Sequence, residues 1–198
     1  MRHQLVLVFS LLTVTVPRLA AQWGVELELA TSHFSGTARD TSASGPATSG
    51  PSHPTMLALR VDRRVGGAGV GLGVLYASVG VTEEGPDFAV VSKHVLTFVE
   101  LAPEVSWRFA RTDSGAGFRV HVGPIADIWH PDGGTSRTLF GARAALSLEW
   151  PIAGRVAGAV GTGVAVTGPV FERGDLPPGF ERRATWRRWV AVALRARL

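Results

Sequence analysis

Residues Ala184 to Leu198, ATWRRWVAVALRARL, alternate with a period of two. Leu198, Ala196, Leu194, Val192 and Val190 fall on one face, and Arg197, Arg195, Ala193, Ala191 and Trp189 on the other. A helix would repeat every 3.6 residues, so this stretch is an extended strand with one oily face and one polar or small face. A strand cannot satisfy its own backbone donors and acceptors, so it needs strand neighbours, and its two faces need two different surroundings.

Seven further segments repeat the pattern, at about 23–34, 54–65, 69–80, 93–109, 117–130, 137–150 and 155–168. In the first, Trp23, Val25, Leu27 and Leu29 oppose Glu26 and Glu28. In the fourth, Val99, Leu101, Val105 and Trp107 oppose Glu100, Glu104 and Arg108. Pro103 lies on the oily face of that segment and removes one ladder donor, which predicts a bulge or weak pairing there. The connections alternate in length. Those at 35–53, 82–92, 131–136 and 169–183 are loops rich in Gly, Pro, Ser or charge, and the others are tight turns. The 35–53 stretch shows no periodicity and reads as a long mobile loop. An even strand number with short turns at one end and longer loops at the other gives an all-β fold, an eight-stranded antiparallel up-and-down transmembrane β-barrel.

Alternation alone also fits a soluble barrel with its oily face inward. Three features choose the membrane barrel: a minority face rich in Gly and Ala, aromatic residues gathered at strand ends, and an export signal in a chain without cysteine. Magnitude then sets the orientation. An Arg facing lipid at mid-bilayer costs roughly 2–4 kcal/mol, and Arg60, Glu100 and Arg143 lie near strand centres. Several such residues outward would consume most of a stability of about 5–15 kcal/mol. The charged face therefore points into the lumen. It holds Glu26, Glu28, Asp62, Glu100, Glu104, Asp127 and Glu149, with Arg60, Arg64, Arg108, Arg119, Arg143, Arg187, Arg195 and Arg197 against them and His121 beside them. Buried charges need partners, so these residues are expected to form a salt-bridged plug. The first and last strands adjoin in a closed barrel, so Glu26 and Glu28 are expected to latch the seam with Arg195 and Arg197. The remaining lumen face is Gly- and Ala-rich, as a narrow eight-stranded interior requires. Aromatic residues gather near strand ends. Trp23, Trp107, Phe109 and Trp150 mark the turn side, and Phe34, Tyr76, Trp129, Phe140, Trp186 and Trp189 the loop side, as two interfacial belts.

The chain begins with a short basic segment, an apolar-dominated run from Leu5 to Val16, Pro17, and a small-residue cleavage site at Leu19-Ala20-Ala21. That is a signal peptide over 1–21, with the barrel domain over 22–198. The run is shorter than the roughly twenty residues a spanning helix needs. There is no cysteine, which excludes a disulfide scaffold and a thiolate metal site. Of the 20 Lys and Arg residues only Lys93 is lysine, and the arginines are spread along the chain, so there is no nucleic-acid footprint. No cofactor or metal motif is present. The Gly runs at 66–73 and 158–163 precede no Lys-Ser/Thr, and His33, His53 and His130 would share a metal only if three loops met. No catalytic residue is assigned. His130 beside Pro131-Asp132 and His94 near Ser92 sit in or next to loops, where a solvated structural role is the ordinary one.

Eight alternating segments, the alternation of short and long connections, and a last strand with an apolar outer face resemble the small eight-stranded bacterial outer-membrane barrels of the OmpA/OmpX type, over about 22–198. The resemblance is architectural and transfers no functional residue. It implies a bacterial outer-membrane location with periplasmic termini and extracellular long loops. It also implies a monomer surrounded by outer-membrane lipid, with the C-terminal strand read by the barrel assembly machinery. The expected role is non-enzymatic, structural or surface-interacting. A narrow channel for small or hydrophobic compounds is the alternative, and a lipid A-modifying enzyme a second.

Overall fold

In the computed structural model, residues 22–36, 38–40, 47–84, 87, 89–175 and 179–198 are described. The expected signal peptide at 1–21 lies outside the described residues. The period-two segments form β1 (Gln22–Ser35), β4 (Thr55–Val65), β5 (Ala68–Glu84), β6 (Ala89–Arg108), β7 (Gly117–Pro131), β8 (Arg137–Ala153), β9 (Val156–Thr167) and β11 (Thr185–Arg197). Three short strands lie in the loops: β2 (Ala38–Asp40), β3 (Thr48–Pro51) and β10 (Phe180–Arg182).

The eight long strands close on themselves in the order β1-β4-β5-β6-β7-β8-β9-β11, all antiparallel, with β11 returning to β1. Closure is continued to the last residue, whose Leu198 N–H donates to Trp23 O at 2.9 Å. Both described chain ends therefore lie at the short-turn end of the barrel. Pairing in register places Leu27 between Leu59 and Leu194 on the outer face, and Glu26 between Arg60 and Arg195 on the inner face. The outer face is an apolar band that includes Leu29, Leu57, Leu72, Val105, Val122, Val160, Val192 and Leu194, all exposed.

Three loops differ from the sequence expectation, the 169–183 stretch by containing β10. The 82–92 stretch is mostly strand, because β5 and β6 run on past the barrel as a hairpin to Glu84 and from Ala89. A register shift between Val79 and Val81 marks the departure, and Gly80 and Ser52 exchange hydrogen bonds beside it. The 35–53 stretch is not wholly irregular, since β3 pairs with the extended part of β5, and β2 joins β3 to β10. These strands carry no periodic signal because their order comes from the open edge of β5 rather than from a face of their own.

The expected weakness at Pro103 is doubled by a second proline. The β6–β7 ladder keeps one register from Leu101↔Ala126 to Val105↔Val122, which sets Pro103 opposite Pro124. Neither residue has an N–H to give, and pairing is interrupted across 102–104 and 123–125. Gly123 tolerates the resulting close approach, since a Cβ there would lie 2.1 Å from Pro103 O. A Pro103→Val/Pro124→Val variant is expected to add amide protection at 103 and 124 in hydrogen exchange. Each restored bond should add about 0.5–1.5 kcal/mol to unfolding in urea. Fast, unprotected exchange of the new amides at both positions would show that the interruption has another cause.

Candidate functional site

The lumen is divided into two unlike halves by the inward residues of the same eight strands. Toward the loop end it is apolar. Phe34, Phe98 and Trp129 pack edge-on or tilted with ring centroids 4.5–6.0 Å apart, joined by Met56, Leu75, Val79, Leu96, Ile125 and, from the β9–β10 connection, Val170. Arg137 holds that connection by donating to Val170 O at 3.1 Å.

This corrects the aromatic belts. Trp23, Tyr76, Trp107, Phe109, Phe140, Trp150 and Trp186 are exposed on the outer face, whereas Phe34, Trp129 and Trp189 are buried inside. The reason is parity. Phe34 shares its face with Glu26 and Glu28, Trp129 with Asp127, and Trp189 with Arg187 and Arg195. Trp189 has a specific seat over Gly163, where a Cβ would lie 2.2 Å from its ring. Its ring is flanked by the guanidinium groups of Arg143 and Arg187, at 4.8 and 5.1 Å. Trp150 covers Gly158 in the same way on the outer face.

Toward the turn end the lumen is ionic, in three linked layers. In the uppermost, Glu100 is fully buried and accepts from Arg143 at 2.9 Å and from Arg187, with Asp127 beside it across the β6–β7 pair. In the middle, Arg60 is bonded to Glu26, lies 3.3 Å from Glu28, and brings its Nε within 2.8 Å of Glu104. In the lowest, Glu149 gathers Arg64 at 2.8 Å, Arg108, and Arg119 at 3.2 Å, while Asp62 takes Arg64 at 2.9 Å and both terminal nitrogens of Arg195. Arg119 also donates to Gly67 O at 3.1 Å and to Ser106 Oγ at 3.2 Å. Each carboxylate in the lowest layer thus serves more than one guanidinium, which is how ionic groups this deep become tolerable. Arg197 lies half-buried at the mouth.

The expected seam latch has a different partner. Arg195 comes only within 4.0 Å of Glu26 and instead grips Asp62 on β4, two strands away. It reaches Asp62 by passing over Gly24, where a Cβ would lie 1.8 Å from Arg195 Nη2. Glu26 and Glu28 turn to Arg60, and Arg197 makes no side-chain ion pair among the described residues.

One arrangement escaped the sequence reading. His121 Nδ1 is 3.0 Å from Glu104 Oε1 and His121 Nε2 is 3.2 Å from Ser147 Oγ. The order Ser–His–carboxylate comes from three neighbouring strands and has no local motif. The cavity beside it is about 20 Å³, room for about one water. Elsewhere, His33 and His53 stack at 4.2 Å at the loop end, and His130 contacts Ser136 Oγ at 2.7 Å. The side chain of His94 lies outside those described. Among the described residues no group of three His, Cys, Asp or Glu is placed to hold a metal.

No family model matches the sequence, and a search of curated proteins finds no match. Solved structures do match. Neisserial surface protein A superposes with a TM-score of 0.60 at 10% identity, over 90% of this chain and 99% of that one. The outer membrane protein OprG from Pseudomonas aeruginosa gives 0.58 at 10% identity, over 90% and 96%. At this identity the likeness is one of fold.

A Gly24→Val substitution is expected to push Arg195 off Asp62 and leave both charges buried without each other. The loss should be about 3–5 kcal/mol in urea unfolding of the refolded barrel. In an Asp62→Ala/Arg195→Met background the same substitution should cost little. An equal cost in both backgrounds would mean that Gly24 serves the backbone and not the crossing arginine.

Proposed function

We propose that this chain, which has the fold of the small eight-stranded outer-membrane barrels, is an integral bacterial outer-membrane protein with a structural or surface-contact role and no catalysis. Its termini are periplasmic and its loop end extracellular. The supporting observation is the inversion of its faces. The outer surface carries the apolar band, with Leu194 and Trp107 each 58% exposed, while Glu100, Arg119 and Arg195 are almost wholly buried. In water this arrangement would be unstable. In a bilayer it is what a closed sheet requires.

A surface role is supported by the sheet beyond the barrel. The upper parts of β5 and β6 with β3, β2 and β10 make a projecting structure from three separate loops, built largely on backbone pairing. The channel reading receives less support, because the charged layers and the aromatic cluster occupy the lumen in series. Purified protein in planar bilayers is therefore expected to show no steady conductance, and a stable single-channel current would reverse that preference.

The membrane reading has its own test. Leu59→Arg on the outer face should cost roughly 2–4 kcal/mol in a phospholipid bilayer, and folded protein should migrate differently from boiled protein on a gel. Tolerance of that arginine without loss of stability would contradict a lipid-facing surface.

The enzyme reading rests on Ser147, His121 and Glu104. Arg60 competes for Glu104, and the cavity admits no acyl chain or glycan. A fluorophosphonate probe is accordingly expected to leave the folded protein unlabelled. Labelling that disappears in Ser147→Ala would establish a hydrolase instead.

A further inference from the structure

At the turn end the lumen opens into a vestibule of about 550 Å³. Its wall carries six guanidinium groups, from Arg64, Arg108, Arg111, Arg119, Arg195 and Arg197. The carboxylates within reach are Asp113 on the rim, with Asp62 and Glu149 beneath. Cations therefore outnumber anions. The surplus is also visible in the bonding. Asp62 and Glu149 are already shared among Arg64, Arg108, Arg119 and Arg195. Arg108 Nε and Arg195 Nε are buried with no acceptor. Arg111 and Arg197 make no side-chain ion pair among the described residues. In the uppermost layer Glu100 and Asp127 match Arg143 and Arg187, and in the middle layer Glu26, Glu28 and Glu104 outnumber Arg60, so the cation surplus is confined to the turn-end layer.

We propose that the turn-end vestibule is a binding site for a compact polyanion bearing two or more phosphate-type groups. Guanidinium forks match phosphate oxygens in pairs, and several forks converging on one concavity favour a multiply charged ligand over a lone carboxylate. The volume is that of a small-molecule site, about 300–1,000 Å³. The fixed part of the site is Arg64, Arg119 and Arg195, held by the network beneath. The adaptable part is Arg111 and Arg197. The ligand is a dissolved ion, because the vestibule lies inside the ring of strands and opens along the barrel axis, away from the lipid-facing wall.

The test is calorimetric titration of inorganic pyrophosphate into the protein refolded in phosphatidylcholine nanodiscs. One saturable site is expected, weakening as salt is raised. Arg111→Glu/Arg197→Glu should weaken binding at least ten-fold while the folded gel band is retained, since neither side chain belongs to the ion-pair network. Arg155→Glu, on a neighbouring turn outside the vestibule, should bind as the parent does. Absence of saturable binding would overturn the proposal, as would equal weakening by Arg155→Glu. If phosphatidylglycerol in the nanodisc competes pyrophosphate away, the occupant is a lipid headgroup and the assignment to a dissolved ion fails.

Discussion

A sheet surrounded by hydrocarbon cannot leave an edge, because an unpaired N–H or C=O there finds no water. Every other feature of this molecule follows from the closure of β1 on β11. Closure fixes the strand number, and the twelve-residue register of that seam fixes which side chains share a level. It also forces one face of every strand into a narrow lumen, where volume and charge must both be accommodated. Most of the residues with large side chains that face inward do so beside a glycine or alanine on a neighbouring strand. Trp189 over Gly163 and Arg195 over Gly24 are the clearest cases. The small residues are therefore part of the packing of the large ones.

The division of the lumen into an apolar and an ionic half has an energetic rationale. Ion pairs in a dry interior barely offset their desolvation unless they are shared and fully hydrogen-bonded. Here they are concentrated so that carboxylates can be shared, and the aromatic cluster occupies the level where no acids are supplied. Trp189 stands at the boundary. Its ring meets Arg143 and Arg187, whose ion pairs go to Glu100, so that the ring takes the place of a further carboxylate.

Much of this was legible in the sequence, because a period of two states both the element and the facing of each residue. The eight long strands, the inward charges and the weak point at Pro103 all follow from it. Three things did not. Phe34, Trp129 and Trp189 were expected at the membrane surface because aromatic type was weighted above parity, although parity was already available and places them inside. The partner of Arg195 was not readable, because Asp62 lies two strands away and is reached only across the missing side chain of Gly24. The strands β2, β3 and β10 had no pattern to read, since their order is lent by the edge of β5. Sequence periodicity thus gives facing, whereas partners depend on register and on which side chains are small enough to be crossed.

The Pro103–Pro124 interruption shows where the closure rule is relaxed and why that is survivable. A proline lacks a donor but keeps its carbonyl, so two facing prolines leave acceptors unpaired and no N–H orphaned at those two positions. An exposed acceptor costs less than an exposed donor–acceptor pair would, and both proline rings are themselves apolar and face outward with Leu101, Val105 and Val122. The ladder resumes in the same register on both sides. The barrel therefore loses hydrogen bonds locally without shifting any residue to the wrong face. A bulge at the same place would have reversed the facing of every residue on one side of it, and Glu100 or Glu104 would then have stood on the apolar outer face. Paired prolines weaken the wall while leaving the inside and outside of the barrel intact.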